Sequence, residues 1–222
     1  MCDRRFYIVF IIIIVNLTSC SSMTTSYVKP NHHNLKTIES LVVRVEGNPD
    51  FSHIDAIESE SSIIILVTGP IGAIVDTAYR NKIDDDVVDE IKSEEILSSA
   101  RKNFAIQLSE TLQKAQFFDI VNYVDAAYNR NDYDAILYIE IMNWGSRRKQ
   151  SESYIIIPFI DFHIAMTDLR KNKLIWNENQ TVTYDTNHTL NDYKTQNGLI
   201  ENDLEKLINK SANQIVELLL SF

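Results

Sequence analysis

The chain has 222 residues, 45% of them hydrophobic, enough apolar material for one folded core and too much for wholesale disorder. Its formal net charge of −10 repels phosphate backbones and anionic headgroups, which excludes nucleic-acid binding and attachment to a membrane through a basic patch. The two cysteines, Cys2 and Cys20, both lie near the amino terminus, so the rest of the chain has no disulfide, thiolate metal site or thiol nucleophile.

Arg4 and Arg5 precede an apolar run over residues 6–15, and Leu17, Thr18, Ser19 and Cys20 close it. A run of this length falls short of the roughly 20 apolar residues that a spanning helix needs, and it fits a secretory signal. The four closing residues resemble the lipobox of bacterial lipoproteins. That resemblance implies cleavage between Ser19 and Cys20, a diacylglyceryl group on the Cys20 sulfur and an acyl chain such as palmitate on its amino group. Several acyl chains anchor stably where one is marginal. Ser21 and Ser22 follow with no Asp, a pattern that in lipoproteins of Gram-negative bacteria implies sorting to the outer membrane, facing the periplasm. The expected organisation is a signal peptide over 1–19, a lipidated polar tether over 20–36 and one periplasmic α/β domain over 37–222.

The tether contains His32 and His33, an adjacent pair with no carboxylate cluster nearby, which reads as solvated linker. Residues 40–46 alternate like a strand, and Gly47, Asn48, Pro49 and Asp50 are expected to end it in a turn. A second apolar strand is expected over 63–67 and a short helix over 71–79. Asp84, Asp85 and Asp86 lack the alternating spacing of a calcium loop and read as acids at a helix start.

Residues 93–116 carry apolar side chains three or four apart and predict a long amphipathic helix. Strands are expected over 117–124, 133–144, 154–169 and 174–184. Gly145 to Lys149 is expected to be a turn, as are residues 170–173. Pro158 points to an edge or a bulge. A polar loop over 185–198 leads to a second long amphipathic helix over 199–222. The fold class is α+β: a mostly antiparallel sheet of about four to five strands with two long helices packed on one face.

No nucleophile elbow, nucleotide loop, dinucleotide fingerprint or zinc spacing occurs, so neither a catalytic residue nor a metal or cofactor is expected. Asp161 and His163 share a strand face and form a candidate acid–base pair, although a solvated strand offers the same arrangement. His53 and His188 have no partner recognisable in sequence. Tyr138, Trp144 and Trp176 read as core or edge packing rather than a sugar platform.

The order of elements carries a second resemblance. Residues 134–140, then 166–169 through Ile175 and Trp176, occupy the places of two phrases in a periplasmic α/β domain. That domain is shared by curli-secretion lipoproteins, lipoprotein activators of penicillin-binding proteins and the amino-terminal part of the Tol-system β-propeller protein. The likeness covers about two thirds of the chain. Asn172 stands where the family has a glycine, and the charged stretch before the long helix is additional. The resemblance implies a non-enzymatic protein-interaction or assembly module in the envelope, bound to the bilayer by its acyl chains and docking an envelope protein. An oligomeric membrane-inserting secretion or pore component is the alternative, with residues 63–78 and 154–166 as candidate segments. An envelope hydrolase using Asp161 and His163 is the second alternative. Oligomeric state stays open.

Overall fold

The computed structural model describes residues 27–30, 32–54, 91, 93–125, 128–149 and 152–221. Leu17 to Ser22, the strand expected over 63–67, the helix over 71–79 and the three aspartates at 84–86 lie outside them.

The helices follow from their stripes. Helix α1, His32–Leu35, is a single turn, and its Leu35 enters the core. Helix α2, Ser93–Lys114, carries Glu94 and Glu95 in its first turn and Lys114 in its last, as the helix dipole favours. Leu97, Ala100, Phe104, Leu108 and Leu112 form its buried face. It ends at Gln116, which adopts the left-handed conformation with φ 54°. Helix α3, Leu190–Thr195, lies in the stretch expected to be loop. The Asp192 carboxylate accepts from both the Thr189 backbone N–H and the Thr189 hydroxyl, which fixes its first turn. Helix α4, Leu199–Leu220, follows Gly198, whose φ of 78° suits glycine. Leu204, Leu207, Ile208, Ile215 and Leu219 are buried along it, each contributing roughly 1.5–3 kcal/mol by leaving water.

The strands are β1 Ser40–Glu46, β2 Phe51–Ile54, β3 Ile120–Tyr123, β4 Ala135–Lys149, β5 Glu152–Asp168 and β6 Lys173–Thr183. They form one six-stranded sheet in the order β3-β1-β4-β5-β6, with β2 also paired to β4. The expectation of a mostly antiparallel sheet of four to five strands is matched only roughly: the sheet is mixed and has six strands. β1 runs parallel to both β3 and β4, and β2 runs parallel to β4; only the β4–β5 and β5–β6 ladders are antiparallel. Leu41, Val42 and Val43 in β1 are all fully buried, the continuous apolar run of a strand covered on both faces. Helices α2 and α4 pack on each other over the same face, α2 above β1 and β3, α4 above β5 and β6.

Two expected turns are not turns. After Glu46 pairs with Glu140, the chain bulges outward over residues 47–50 and resumes as β2 in the same direction, with Phe51 opposite Trp144. Gly47 lies against β4 there. Its φ is 101°, and a Cβ would stand 2.1 Å from the Ile141 carbonyl oxygen. Residues 145–149, also expected to turn, continue β4. Gly145 is present because a Cβ would fall 1.8 Å from the Ser52 oxygen, so the glycine serves close strand approach.

β4 has its own bulge between Ile141 and Asn143. The extra residue shifts the side-chain phase by one, so Trp144 joins Ile141 in the helix-covered core. A second bulge in β6 leaves Ile175 and Trp176 both buried instead of alternating. Pro158 lies in β5 one residue beyond the last position paired with β6, a local edge. Asn172 takes φ 49° in the β5–β6 turn, which explains its tolerance at a glycine place.

Gly47→Ala combines a backbone clash with an unfavourable φ. It should lower stability by roughly 2 kcal/mol or more. Urea unfolding checks this, and an unchanged midpoint would refute the close approach of residue 47 to β4.

Candidate functional site

The candidate acid–base pair is not assembled. Asp161 and His163 share a face of β5, but each engages β6 instead of the other. The Thr181 hydroxyl donates to Asp161 Oδ1 at 2.6 Å, and His163 Nε2 lies 2.5 Å from Asn177 Oδ1. Asp161 is buried, and these contacts fasten the β5–β6 ladder. The segment 154–166, a candidate for membrane insertion, falls within β5, which pairs with β4 along its length and with β6 from Phe159 onward, and Phe162, Ile164 and Met166 are buried in the core.

His53, whose partner was not legible, sits on β2 with Nδ1 2.9 Å from Ser146 Oγ on the facing strand. Both side chains are buried. Burial, and then the Arg148 charge, push His53 down from its ordinary 6.5 to about 4, against the opposing effect of the Ser146 hydrogen bond. A neutral imidazole with an inaccessible serine is a packing element rather than a nucleophile and base.

A buried carboxylate that sequence reading missed is Asp203, on the inner face of α4. Tyr193 of α3 donates to its Oδ2 at 3.0 Å, while Lys206 Nζ and His188 Nε2 stand 3.6 and 3.8 Å from Oδ1. Lys206 also lies over the Tyr184 ring, 5.5 Å from its centroid. Burial and the Asp203 charge raise the hydroxyls of both Tyr184 and Tyr193, so neither ionises at physiological pH. The cluster fastens α3 and the end of β6 to α4. Its only sequence signal was an acid at an apolar-stripe position of a helix.

Asp134 and Asp168 play the same part at the other end of the sheet. Asp134 accepts from the backbone N–H groups of Glu39 and Ser40 at 2.8 and 3.0 Å and pairs with Arg170 at 3.3 Å. Desolvation works to raise its carboxyl, but these N–H donors and the guanidinium outweigh it and hold it below the usual range. Asp168 accepts from the N–H groups of Arg170 and Lys171 and closes the β5–β6 turn.

Tyr138 donates to Glu46 at 2.8 Å. Trp144 and Trp176 are fully in the core, with their indole N–H groups bonded to the Pro49 carbonyl and to Glu178. His32 and His33 open helix α1. Among the described residues, no group of three or more His, Cys, Asp or Glu is placed to hold a metal ion, and no helix is long and apolar enough to cross a membrane.

Two surface clefts stand out. One runs between the amino-terminal halves of α2 and α4, with Ile96 and Leu204 in its floor and Glu95, Glu201 and Glu205 around it. The other, about 520 Å³, lies between α2 and the outer edge of β3, lined by Ile106, Glu110, Gln113, Lys114, Val121 and Tyr123. β3 is an end strand of the sheet, and its Ile120 and Tyr123 are 52% and 38% exposed. The opposite end strand, β6, is met by the chain's own Val28, which exchanges two backbone hydrogen bonds with Asn177.

No family model matches the chain, and no curated protein matches it. Among solved structures, it is similar to a Xanthomonas campestris protein of family DUF330, with 11% identity over 51% of this chain and a TM-score of 0.38. The match spans only 56% of that protein. It is also similar to PelC, a dodecamer, from Paraburkholderia phytofirmans, with 12% identity over 78% of this chain and 83% of that one, TM-score 0.36. A third is lipoprotein GNA1162 from Neisseria meningitidis, with 13% identity over 80% and 96% of the two chains, TM-score 0.25.

The depressed His53 gives a signed pH dependence. In the unfolded chain this histidine takes up its proton near 6.5, and in the folded one near 4. The unfolded state therefore binds more protons inside that window, and stability falls as pH drops through it, by up to about 3 kcal/mol. Unfolding measured across the window should show this slope. His53→Gln, which can keep a bond to Ser146, should flatten it; an equal slope in both proteins would refute the assignment.

Proposed function

We propose that this chain is a membrane-anchored envelope lipoprotein, held on the periplasmic side of the outer membrane, whose folded domain is a non-enzymatic protein-interaction or assembly module. The observation that carries the reading is the amino-terminal order: Arg4 and Arg5, the apolar run over 6–15, then Leu17, Thr18, Ser19 and Cys20. Each part has a physical task. The arginines keep their end on the cytoplasmic side, the short run enters the membrane without stably spanning it, and Cys20 supplies the sulfur for lipid. Ser21 and Ser22 then direct the anchored chain outward.

The folded part supports the second half of the reading. The sequence's candidate acid–base side chains are committed to architecture, Asp161 to Thr181 and His163 to Asn177, and His53 is likewise bonded to Ser146. What the domain presents outward is different: a sheet edge with exposed Ile120 and Tyr123, and two helix-lined clefts. Such edges and grooves are the means by which folded domains bind other polypeptides. The acidic charge keeps the domain off anionic headgroups, so acyl chains carry the attachment.

Intact-mass measurement on the protein extracted from envelopes should find a chain that begins at Cys20 and carries diacylglyceryl and acyl groups. Cys20→Ser should leave the precursor uncleaved and unlipidated. A bare thiol at residue 20, or a mature chain that starts elsewhere, refutes the anchor.

A further inference from the structure

The two ends of the sheet are closed by different chemistry. At β6 the cap is backbone, Val28 against Asn177. At β3 the cap is one side chain. The Gln113 amide nitrogen donates to the Asp119 carbonyl at 3.3 Å, and its Oε1 accepts from the Val121 N–H at 3.1 Å. The side chain thus occupies outward-facing backbone groups of the β3 edge, bonding on both sides of Ile120 as a parallel neighbour would, and an antiparallel partner would compete for the same Val121 N–H. Ile120 and Val124 donate inward, to the carbonyls of Glu39, just before β1, and of Val43 in β1, so by alternation the N–H groups of Val121 and Tyr123 point outward. Gln113 is exposed and its side chain is held by these two bonds alone, so a backbone can displace it.

We propose that the β3 edge and the adjoining face of α2 form a two-fold interface between copies of this chain. Residues 121 and 123 of one copy exchange backbone bonds with 123 and 121 of the other, displacing Gln113. This deepens the interaction-module reading by naming the surface and the partner.

Three features on this face select a second copy. The first is spacing. α2 lies over β1 and β3 alike. Two β3 strands paired at the usual spacing of about 4.8 Å would set the two α2 axes about 10 Å apart, which is the packing distance of helices. The cleft beside β3 is then one half of an inter-helix space, and Ile106, Val121 and Tyr123 fill it from each side. The second feature is charge. Glu110 and Lys114 sit one turn apart on this face of α2, in an exposed ion pair at 3.7 Å. A two-fold axis normal to the sheet runs the helices antiparallel and brings Glu110 of each copy opposite Lys114 of the other, as a self-complementary interface requires. The intramolecular pair is weak and costs little to exchange. The third is exposure: Ile120 and Tyr123 leave apolar surface at the edge that pairing would cover.

The test is sedimentation of the full, detergent-extracted chain together with charge exchange. The wild type should dimerise. Glu110→Lys and Lys114→Glu should each weaken the dimer at least about ten-fold, and the double exchange should restore it, because only a symmetric contact is repaired that way. Tyr123→Pro, which removes an outward N–H and no internal ladder bond, should also abolish dimers while leaving thermal unfolding near the wild type. A wild type that stays monomeric at every concentration reached, or single exchanges without effect, overturns the proposal. A photo-crosslinker at Asn122 in cells that joins a different protein overturns it as well. Any of these results with a lipidated Cys20 leaves the anchored-module reading standing, and a bare Cys20 in a dimer does the reverse.

Discussion

The phase change in β4 is the constraint on which the rest of the domain depends. One extra residue between Ile141 and Asn143 turns Trp144 from the face its parity predicts to the face beneath the helices. Its ring then meets Phe51 edge-on at 5.1 Å, and Phe51 meets Tyr193 edge-on at 5.9 Å. Tyr193 in turn holds Asp203. A bulge in the middle of the sheet thus sets, through three aromatics meeting edge to face, where α3 lies and how α4 begins. Gly47 belongs to the same device. It lets the β1–β2 crossing press against β4 at the bulge, while the Trp144 indole bonds the Pro49 carbonyl. Aromatic contacts of this geometry add about 0.5–1.5 kcal/mol each beyond their burial.

Asp168 and Asp203, both buried, and the half-buried Asp134 show a shared logic at opposite ends of the molecule. A carboxylate taken out of water is costly unless donors surround it. Asp134 and Asp168 are surrounded by backbone N–H groups, Arg170 and Lys171, where the starts of β1 and β4 meet the β5–β6 turn. Asp203 accepts from Tyr193 on Oδ2, while its Oδ1 has no hydrogen-bond partner and faces Lys206 and His188 only at ion-pair distance, where the end of β6 meets the last two helices. Each joins segments distant in sequence. Loss of any one partner would leave a charge stranded in the interior, so these clusters favour a single arrangement of elements over near alternatives.

Legibility from the sequence divided along the line between local and non-local causes. The stripes of α2 and α4 are properties of a helical face, so Leu97 through Leu112 and Leu204 through Leu219 could be picked out one by one. The three antiparallel strands were legible as strands, but the turn expected over 145–149 continues β4 instead. Parallel pairing was not legible, since nothing adjacent to β1 names β4 as its neighbour. One clue was present: Leu41, Val42 and Val43 are consecutive apolar residues, as a strand buried on both faces requires. Gly47 and Gly145 misled because glycine signals a turn and a close approach with the same letter. The bulges in β4 and β6 broke an alternation that reads as regular. Of the candidate sites, Asp161 and His163 were correctly placed on one strand face, but their partners on β6 were invisible. His53 and Ser146 are 93 positions apart, and only the fold brings them together.

The pairing of Val28 with Asn177 carries a geometric consequence for a chain held by acyl groups at Cys20. Eight residue steps separate the two, and a fully extended backbone covers at most about 28 Å in that distance. With acyl groups on Cys20, the β6 side of the domain would stay within about 28 Å of the bilayer surface, however freely the body swivels. β3 is four strands further out, about 19 Å away across the sheet. If Cys20 carries the proposed acyl groups, fastening at one rim of the sheet makes β6, and not β3, the strand whose distance from the bilayer the tether limits directly.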